Sequence, residues 1–334
     1  LLTCRKELTC GKKTTLKVLV IRFSSIGDCI WVTPILRCLK TQLACEVHFV
    51  TKKQYAPLFE VNPNIDTLHL LGEKSLSQLI SLWRKEKFDY IIDLHNNLRT
   101  LYIKTALWNV PARSYRKLRW QKWLLVNFKI NKMPANHVVD RYFETITPLG
   151  VQPDSKGLEL HIPEQYHLGK DFFPPEFQEK FIAFVIGASY ATKKMPTAKI
   201  IEFCKQMPMP VILIGGKEDE TAGNEIERYF LTNKTNLVWN LCGKLNLMQS
   251  AWVVSQAEMV YGHDTGLTHI AACFHKKVYM IFGSTTPELG LYPYQTPHHI
   301  IENKKLTCRP CSRLGKHACP QKHFKCMTEL HFEI

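Results

Sequence analysis

The chain lacks any run approaching the ~20 apolar residues that cross a bilayer as a helix, so no membrane-spanning helix is expected. Its apolar runs, such as residues 181–186 and 211–214, have the length of buried strands. No G-x-G-x-x-G fingerprint follows a first strand, which weighs against a dehydrogenase. Asp-Thr-Gly occurs once, in a chain with α/β alternation, which excludes the paired loops of an aspartic protease. Acidic residues are sparse: 29 Asp and Glu against 44 Lys and Arg, a net charge of +15. That surplus serves solubility or an anionic partner, such as nucleic acid, a phosphorylated lipid or an anionic membrane face. Residues 1–15 are polar and basic, hold Cys4 and Cys10, and lack the apolar core of a secretory signal. They are expected to form a tail outside the fold, in a cytosolic protein whose thiols stay reduced.

The 334 residues suggest two domains, and an apolar fraction of 45% suffices for real cores. Residues 17–22 read as a buried parallel strand, 23–28 as a loop, 29–41 as a helix and 46–51 as the next strand, together one βαβ unit. Further strands are expected at 65–70 and 90–94, with helices at 75–87 and 138–149, the last ending at Gly150. Residues 151–177, rich in proline and without a clear period, are the candidate linker. The alternation then restarts, with strands at 181–186, 211–214, 237–240, 259–261 and 277–282 and helices at 197–206, 220–230 and 247–256. Ligands in such sheets bind at the carboxyl ends of the strands, so two facing units would form an interdomain cleft.

Three loops carry candidate chemistry. In Arg22-Phe23-Ser24-Ser25-Ile26-Gly27-Asp28, the acid fits a helix cap or first-turn acid, and equally a general base facing the cleft. In residues 187–196, Gly187 and Ser189 permit close backbone approach, and Lys193 or Lys194 can neutralise a phosphate. In Gly262-His263-Asp264-Thr265-Gly266-Leu267-Thr268-His269, a carboxylate, a hydroxyl and an unhindered backbone open a helical pattern whose free amides suit a phosphate. A basic stretch over residues 113–132 interleaves Arg116, Arg119 and other cations with Tyr115, Trp120, Trp123 and Phe128. No nucleic-acid motif accompanies it, so a nucleic-acid partner is not expected.

The order R-F-S-S-I-G-D, G-A-S-x-x-T-K-K-x-P, then G-H-D-T-G-L-T-H-I-A-A followed by G-S-T-T-P resembles the heptosyltransferase family of bacterial lipopolysaccharide core assembly, glycosyltransferase family 9. The resemblance implies an α/β GT-B fold: two Rossmann-like domains with the active site between them. The expected division is a tail at 1–15, an acceptor-binding domain at 16–165, a nucleotide-sugar domain at 166–306 and a Cys-rich segment at 307–334. It implies inverting transfer of heptose from ADP-heptose to a lipid A–Kdo type acceptor, with no metal or other cofactor required for catalysis. Asp28 matches the general base. Lys193, three residues before Pro196, matches the lysine on the donor phosphate. Asp264, Thr265 and Gly266 match the diphosphate loop and His269 a nearby donor contact, with Ser189, Thr192, Glu220 and Leu267 expected on the same side. Ser24, Ser25, Gly27, His95, Arg116 and Arg119 are expected on the acceptor side. The expected partners are the donor, an anionic glycolipid and the inner leaflet of the inner membrane, where the protein would sit peripherally.

The rival readings are another GT-B enzyme using a different sugar nucleotide, whether transferase or epimerase, and a non-catalytic nucleotide- or glycolipid-binding homologue. The tail spacing Cys308-x2-Cys311-x7-Cys319-x6-Cys326, with His317 and His323, has the residue types of a structural zinc site. Only its first pair has the usual ligand spacing, so a disulfide or redox pair and free thiols remain alternatives.

Overall fold

A computed structural model describes residues 15–234 and 237–332. The chain forms two parallel sheets whose central strands are short apolar runs buried on both faces, while β3, β5 and β11 at or near the edges are half-buried or exposed. The first contains β1 (Lys17–Ile21), β2 (Glu46–Lys52), β3 (Thr67–Leu71), β4 (Tyr90–Asp93) and β5 (Ala112–Ser114), in the order β3-β2-β1-β4-β5. The second contains β6 (Ile182–Val185), β7 (Val211–Ile214), β8 (Val238–Asn240), β9 (Met259–His263), β10 (Lys277–Phe282) and β11 (His298–Glu302), in the order β11-β10-β9-β6-β7-β8. Every pairing is parallel. Strand order reverses between β1 and β4 in the first sheet and between β6 and β9 in the second. A ligand crevice opens at such a switch point, outside the carboxyl ends of the strands.

Several expectations are corrected in detail. The helix expected over 29–41 is two helices, Ile26–Ile30 and Thr33–Leu43, separated at Trp31 and Val32. Thr33 hydroxyl bonds back to Ile30 O (2.8 Å), and Pro34 sits in the first turn of the second helix, where it has no bond to lose. The helices Leu98–Ala106 and Arg119–Phe128 and the edge strands β5 and β11 are additions. The linker segment is pinned rather than loose. Arg37 reaches from the first unit to Asp154 (2.7 Å), Glu159 (2.7 Å) and Gly157 O (2.8 Å), and Leu158 and Leu160 are buried.

The two units share a core. Val18, Ile35, Tyr142 and Leu158 pack in one cluster with Met248, Ala251, Ile270 and Tyr294 from the second unit. The helix Val138–Phe143 clamps this junction, because His137 Nε2 meets Tyr292 O (2.8 Å) and Arg141 donates to Leu289 O (2.9 Å). The Cys-rich segment is also part of the fold. Arg309 donates to Gly283 O (2.7 Å) and pairs with Glu302 (2.8 Å), while Cys326, Met327 and Leu330 are buried against the second sheet. The expected tail at 1–15 lies outside the described residues except for Thr15.

Candidate active-site cleft

The loops that leave β1 and β4 face those that leave β6 and β9 across a cavity of about 860 Å³. Its walls include Ser24, Ser25, Gly27, Asp28, His95 and Arg119 from the first unit and Ser189, Lys193, Asp264, Thr265, Gly266 and His269 from the second. Three loops far apart in sequence thus meet where both switch points face each other. A second hollow of about 920 Å³, lined by Lys52, Lys53, Lys74 and Arg99 beyond β2 and β3, gathers none of the expected residues.

Asp28 stands at the third position of the helix Ile26–Ile30. Its Oδ2 accepts from Ser25 N (3.1 Å) and Ser25 Oγ (2.9 Å), and its Oδ1 pairs with Arg22 at 2.5 Å. It therefore caps the helix and still faces the cleft, with 26% of its side chain exposed. Burial pushes its pKa up, but the Arg22 charge and the Ser25 hydrogen bonds outweigh it and hold the carboxyl below its ordinary value. Asp28 is thus ionised at neutral pH. Arg22 is buried and also donates to Ser24 O (2.8 Å) and Leu94 O (2.5 Å), so one guanidinium ties the loops after β1 and β4 together. His95 is kept neutral: burial and the charges of Arg22 and Lys117 lower its pKa to about 4. Its Nδ1 is buried without a hydrogen-bond partner among the described residues.

On the facing wall, Lys193 Nζ pairs with Asp264 Oδ2 at 2.7 Å, and Thr285 Oγ1 donates to the same oxygen (2.8 Å). His269 Nε2 lies 3.6 Å from Asp264 Oδ1, and its ring packs edge-on against Trp31. Burial opposes ionisation of Asp264, yet Lys193 and His269 drive its pKa well below the usual carboxylate range. Asp264 is therefore a fixed anion that aims Lys193; it does not cap the turn that follows. That turn begins at extended Thr265, and no side chain caps its opening amides. Of the two lysines, Lys193 lines the cavity, whereas Lys194 is held by Asp219 at 2.5 Å and is not among its walls.

Several expected contacts fall elsewhere. Thr192 is buried, and its hydroxyl bonds Ser284 Oγ (2.9 Å), Lys316 O (3.0 Å) and Lys316 N (2.7 Å), so it fastens the tail instead of lining the cavity. Leu267 packs between two core clusters, and Glu220 opens the helix Glu220–Asn233 beside Gly243; neither lines the cavity. Arg116 is exposed outside the cavity, whose walls carry Lys117 and Lys122 instead. Tyr115 is buried in the wall, and in extended chain the residue two further on shares its side, which is the signal that favours Lys117. Gly27 and Gly266 have a reason beyond ligand approach. A Cβ on Gly27 would lie 3.1 Å from His269 Cδ2, and one on Gly266 would lie 2.5 Å from Ile26 Cβ. These glycines lie at one of the places where the two units touch.

Sequence reasoning missed Arg22, Lys122, Tyr190 and Arg313 as cavity residues. Lys122 has its pKa lowered to about 8 by burial and by the charges of Arg141 and Arg313. Arg313 arrives from the Cys-rich segment, whose backbone is tied to the cleft wall by Thr192. The four tail thiols, one of whose readings is a zinc site, are not gathered as one cluster. Among the described residues, no three tail thiols or histidines bring ligand atoms within 4.8 Å of one another. Cys308 lies 3.9 Å from His323 Nε2, whereas Cys326 is buried in the second core, where desolvation pushes its thiol up to about 12. The group that does meet that spacing, Glu46, His48 and Glu86, already holds the Lys17 ammonium at 3.3 Å from Glu46 and 3.0 Å from Glu86.

The profile of glycosyltransferase family 9 (heptosyltransferase) matches residues 69–321, well over half of the chain. The lipooligosaccharide heptosyltransferase 2 of Haemophilus influenzae is 24% identical over 297 residues, covering 82% of this chain and 85% of that protein. The lipopolysaccharide heptosyltransferase 2 of Salmonella typhimurium is 24% identical over 294 residues, covering 82% and 84%. Among solved structures, a family 9 glycosyltransferase of Veillonella parvula superposes with a TM-score of 0.70 at 21% identity over 85% of this chain and 86% of that one. The E. coli ADP-heptose lipopolysaccharide heptosyltransferase II superposes with a TM-score of 0.66 at 19% identity over 93% and 97%. The two facing parallel sheets are the expected GT-B architecture. The profile match, together with the cleft between those sheets, assigns the chain to glycosyltransferase family 9, the heptosyltransferase family.

Proposed function

We propose that this glycosyltransferase moves heptose from ADP-heptose to an anionic glycolipid of the lipopolysaccharide inner core, with inversion at the anomeric carbon. The observation that carries the reading is the opposition of two differently tuned walls. An ionised Asp28 faces a cavity whose other wall holds Lys193 and an uncapped turn at Thr265 and Gly266. In the proposed step, the acceptor hydroxyl attacks the anomeric carbon on the face opposite the diphosphate. A carbon–oxygen bond forms as the bond to the diphosphate oxygen breaks, the hydroxyl proton passes to Asp28, and ADP leaves with the bond's electron pair. The charge that grows on the leaving diphosphate is met by Lys193 and the turn amides. Lys193, now on Asp264, would then share its ammonium with phosphate oxygens within the reach of one side chain.

The acceptor side is read from charge. Lys117, Arg119, Lys122 and Arg313 line the cavity, and none has a carboxylate partner within ion-pair distance among the described residues. Such a wall suits the carboxylates and phosphates of a Kdo-type glycolipid. It also fits an enzyme peripheral to the cytoplasmic face of the inner membrane, and no helix among the described residues is long and apolar enough to cross one. Binding calorimetry with ADP-heptose, ADP-glucose and UDP-sugars tests the donor assignment. ADP-heptose should bind most tightly. Binding of UDP-sugars alone would overturn the assignment.

A further inference from the structure

Residues 94–139 contain nine Lys and Arg and not one Asp or Glu. This stretch of less than one-seventh of the chain therefore carries +9 of the net +15. At its centre lies the helix Arg119–Phe128, in which only Leu125 is buried. Trp120 is 64% exposed, Trp123 42% and Phe128 57%, and Ile130 just beyond is 46% exposed. The three rings pack on one another: Trp120 stacks on Trp123 with centroids 4.8 Å apart, and Trp123 meets Phe128 edge-on at 5.0 Å. Three large aromatic rings that touch one another in solvent form a continuous apolar patch, a feature that marks an interaction surface.

The helix is also poorly matched to its own dipole. It starts with Arg119, has no acidic residue in its first turn and no side-chain cap. The helix's own cations, Arg119 and Lys122, line the cleft, whereas Arg113, Arg116 and Lys132, which flank it in sequence, are exposed and have no carboxylate partner within ion-pair distance among the described residues. Lys129 fixes the end of the helix by donating to Pro310 O (2.8 Å), which docks it on the Cys-rich segment beside Arg313.

We propose that the helix Arg119–Phe128 lies in the plane of an anionic bilayer, its aromatic patch inserted at the headgroup level and the exposed cations that flank it, Arg113, Arg116 and Lys132, on acidic headgroups. Tryptophan and tyrosine rings favour that level, and unpaired lysine and arginine complement its negative potential. A nucleic acid or a second copy of the chain fits less well: no partner motif accompanies the cations, and a second copy would present the same surplus of positive charge. The same helix that touches the bilayer supplies Arg119 and Lys122 to the cleft, so a glycolipid headgroup would meet the site without leaving the membrane. This rests on the proposed glycolipid acceptor for its purpose, though not for the membrane contact itself.

The test is co-sedimentation of the full chain with vesicles of phosphatidylcholine, with or without phosphatidylglycerol, and quenching of tryptophan fluorescence by brominated lipid. The protein should bind the anionic vesicles, release them as salt rises, and be quenched. The double variant Trp120→Ser/Trp123→Ser, changed outside the cavity walls, should lose partition by about tenfold or more while its melting curve and donor affinity stay as they were. Transfer to glycolipid in vesicles should fall with it, and transfer to the same oligosaccharide freed of lipid should not. Equal binding of the double variant and the wild type would overturn the proposal. So would a change of oligomeric state in the variant without loss of vesicle binding. Vesicle binding by a wild type that never transfers heptose would sink the proposed function and leave the membrane helix standing.

Discussion

Gly266→Ala probes a close approach between the two units. The added carbon would stand 2.5 Å from Ile26 Cβ, 2.7 Å from Ile26 Cγ2 and 3.1 Å from Gly27 N. Carbon atoms pack best at ~3.5–4.0 Å, and a Cβ is fixed by its backbone, so no rotamer of Ile26 relieves the first contact. The short helices Ile26–Ile30 and Gly266–Ile270 must then part by roughly 1 Å, which is the scale of overpacking that costs about 1–3 kcal/mol. At ~2–4 °C per kcal/mol for units of this size, the melting point should fall by a few degrees. Activity should fall further. Asp28 rides on one of these helices and the turn at Thr265 opens the other, and a ~1 Å misplacement of reacting groups costs on the order of 10²-fold. The assay is thermal melting together with kcat for transfer. Gly169→Ala is the internal control, since nothing lies within 4 Å of its Cβ position. If Gly266→Ala melts and turns over like the control, the two units do not touch here in the working enzyme.

Arg22→Gln removes the charge that holds Asp28 down, leaving burial to push its pKa up; the acid limb of the kcat/KM profile should move to higher pH, and an unmoved limb would separate Asp28 from the rate. Thr192→Val leaves Lys316 N and Ser284 without their buried partner, at about 1–3 kcal/mol, and limited proteolysis should cut the 309–320 segment faster; unchanged cleavage would show that this hydroxyl does not hold the tail. Arg37→Met leaves Asp154 and Glu159 facing an uncharged neighbour and should destabilise by about 3 kcal/mol, the lower end for a broken buried pair, as read by denaturant unfolding. Hydrogen bonds from Arg37 lead the causes that lower Asp154 to about 2. That stability is full above the unfolded carboxyl value of ~3.9 and is lost as pH falls toward the folded value. The variant should therefore show a flatter acid limb, and equal limbs would contradict the pairing.

The strands were legible because buried parallel strands are written as short apolar runs; 211–214 and 277–282 match their elements to the residue. The helix Leu98–Ala106 was not, since only Thr100 and Ile103 are buried and Leu98, Leu101 and Tyr102 are exposed, which blurs its period. β11, at the sheet edge with His298 and His299, lacks the apolar run of a central strand. In the cleft, Asp28, Lys193 and Asp264 could be placed because each follows closely on a strand at a switch point. Arg22 was taken for the end of a strand, and its role appears only when Asp28 and Leu94 close around it. Arg313 was beyond reach, because its place in the cleft depends on Arg309 and Thr192 bonding across the fold. Thr192 and Leu267 stand off the cavity wall: inside a matching motif, Thr192 hydrogen-bonds the tail and Leu267 packs between two cores.

The most direct test of the central claim is Asp28→Asn measured for transfer from ADP-heptose and for donor affinity in the same preparation. Asparagine keeps the shape and one accepting oxygen for the Ser25 donors, turns an NH2 toward Arg22, and cannot take the proton. Turnover should fall by about 10²–10⁴-fold, the contribution of a positioned general base, while the dissociation constant for ADP-heptose stays within a factor of about two. Full turnover in the variant, or a loss explained by weaker donor binding, would contradict Asp28 as the base.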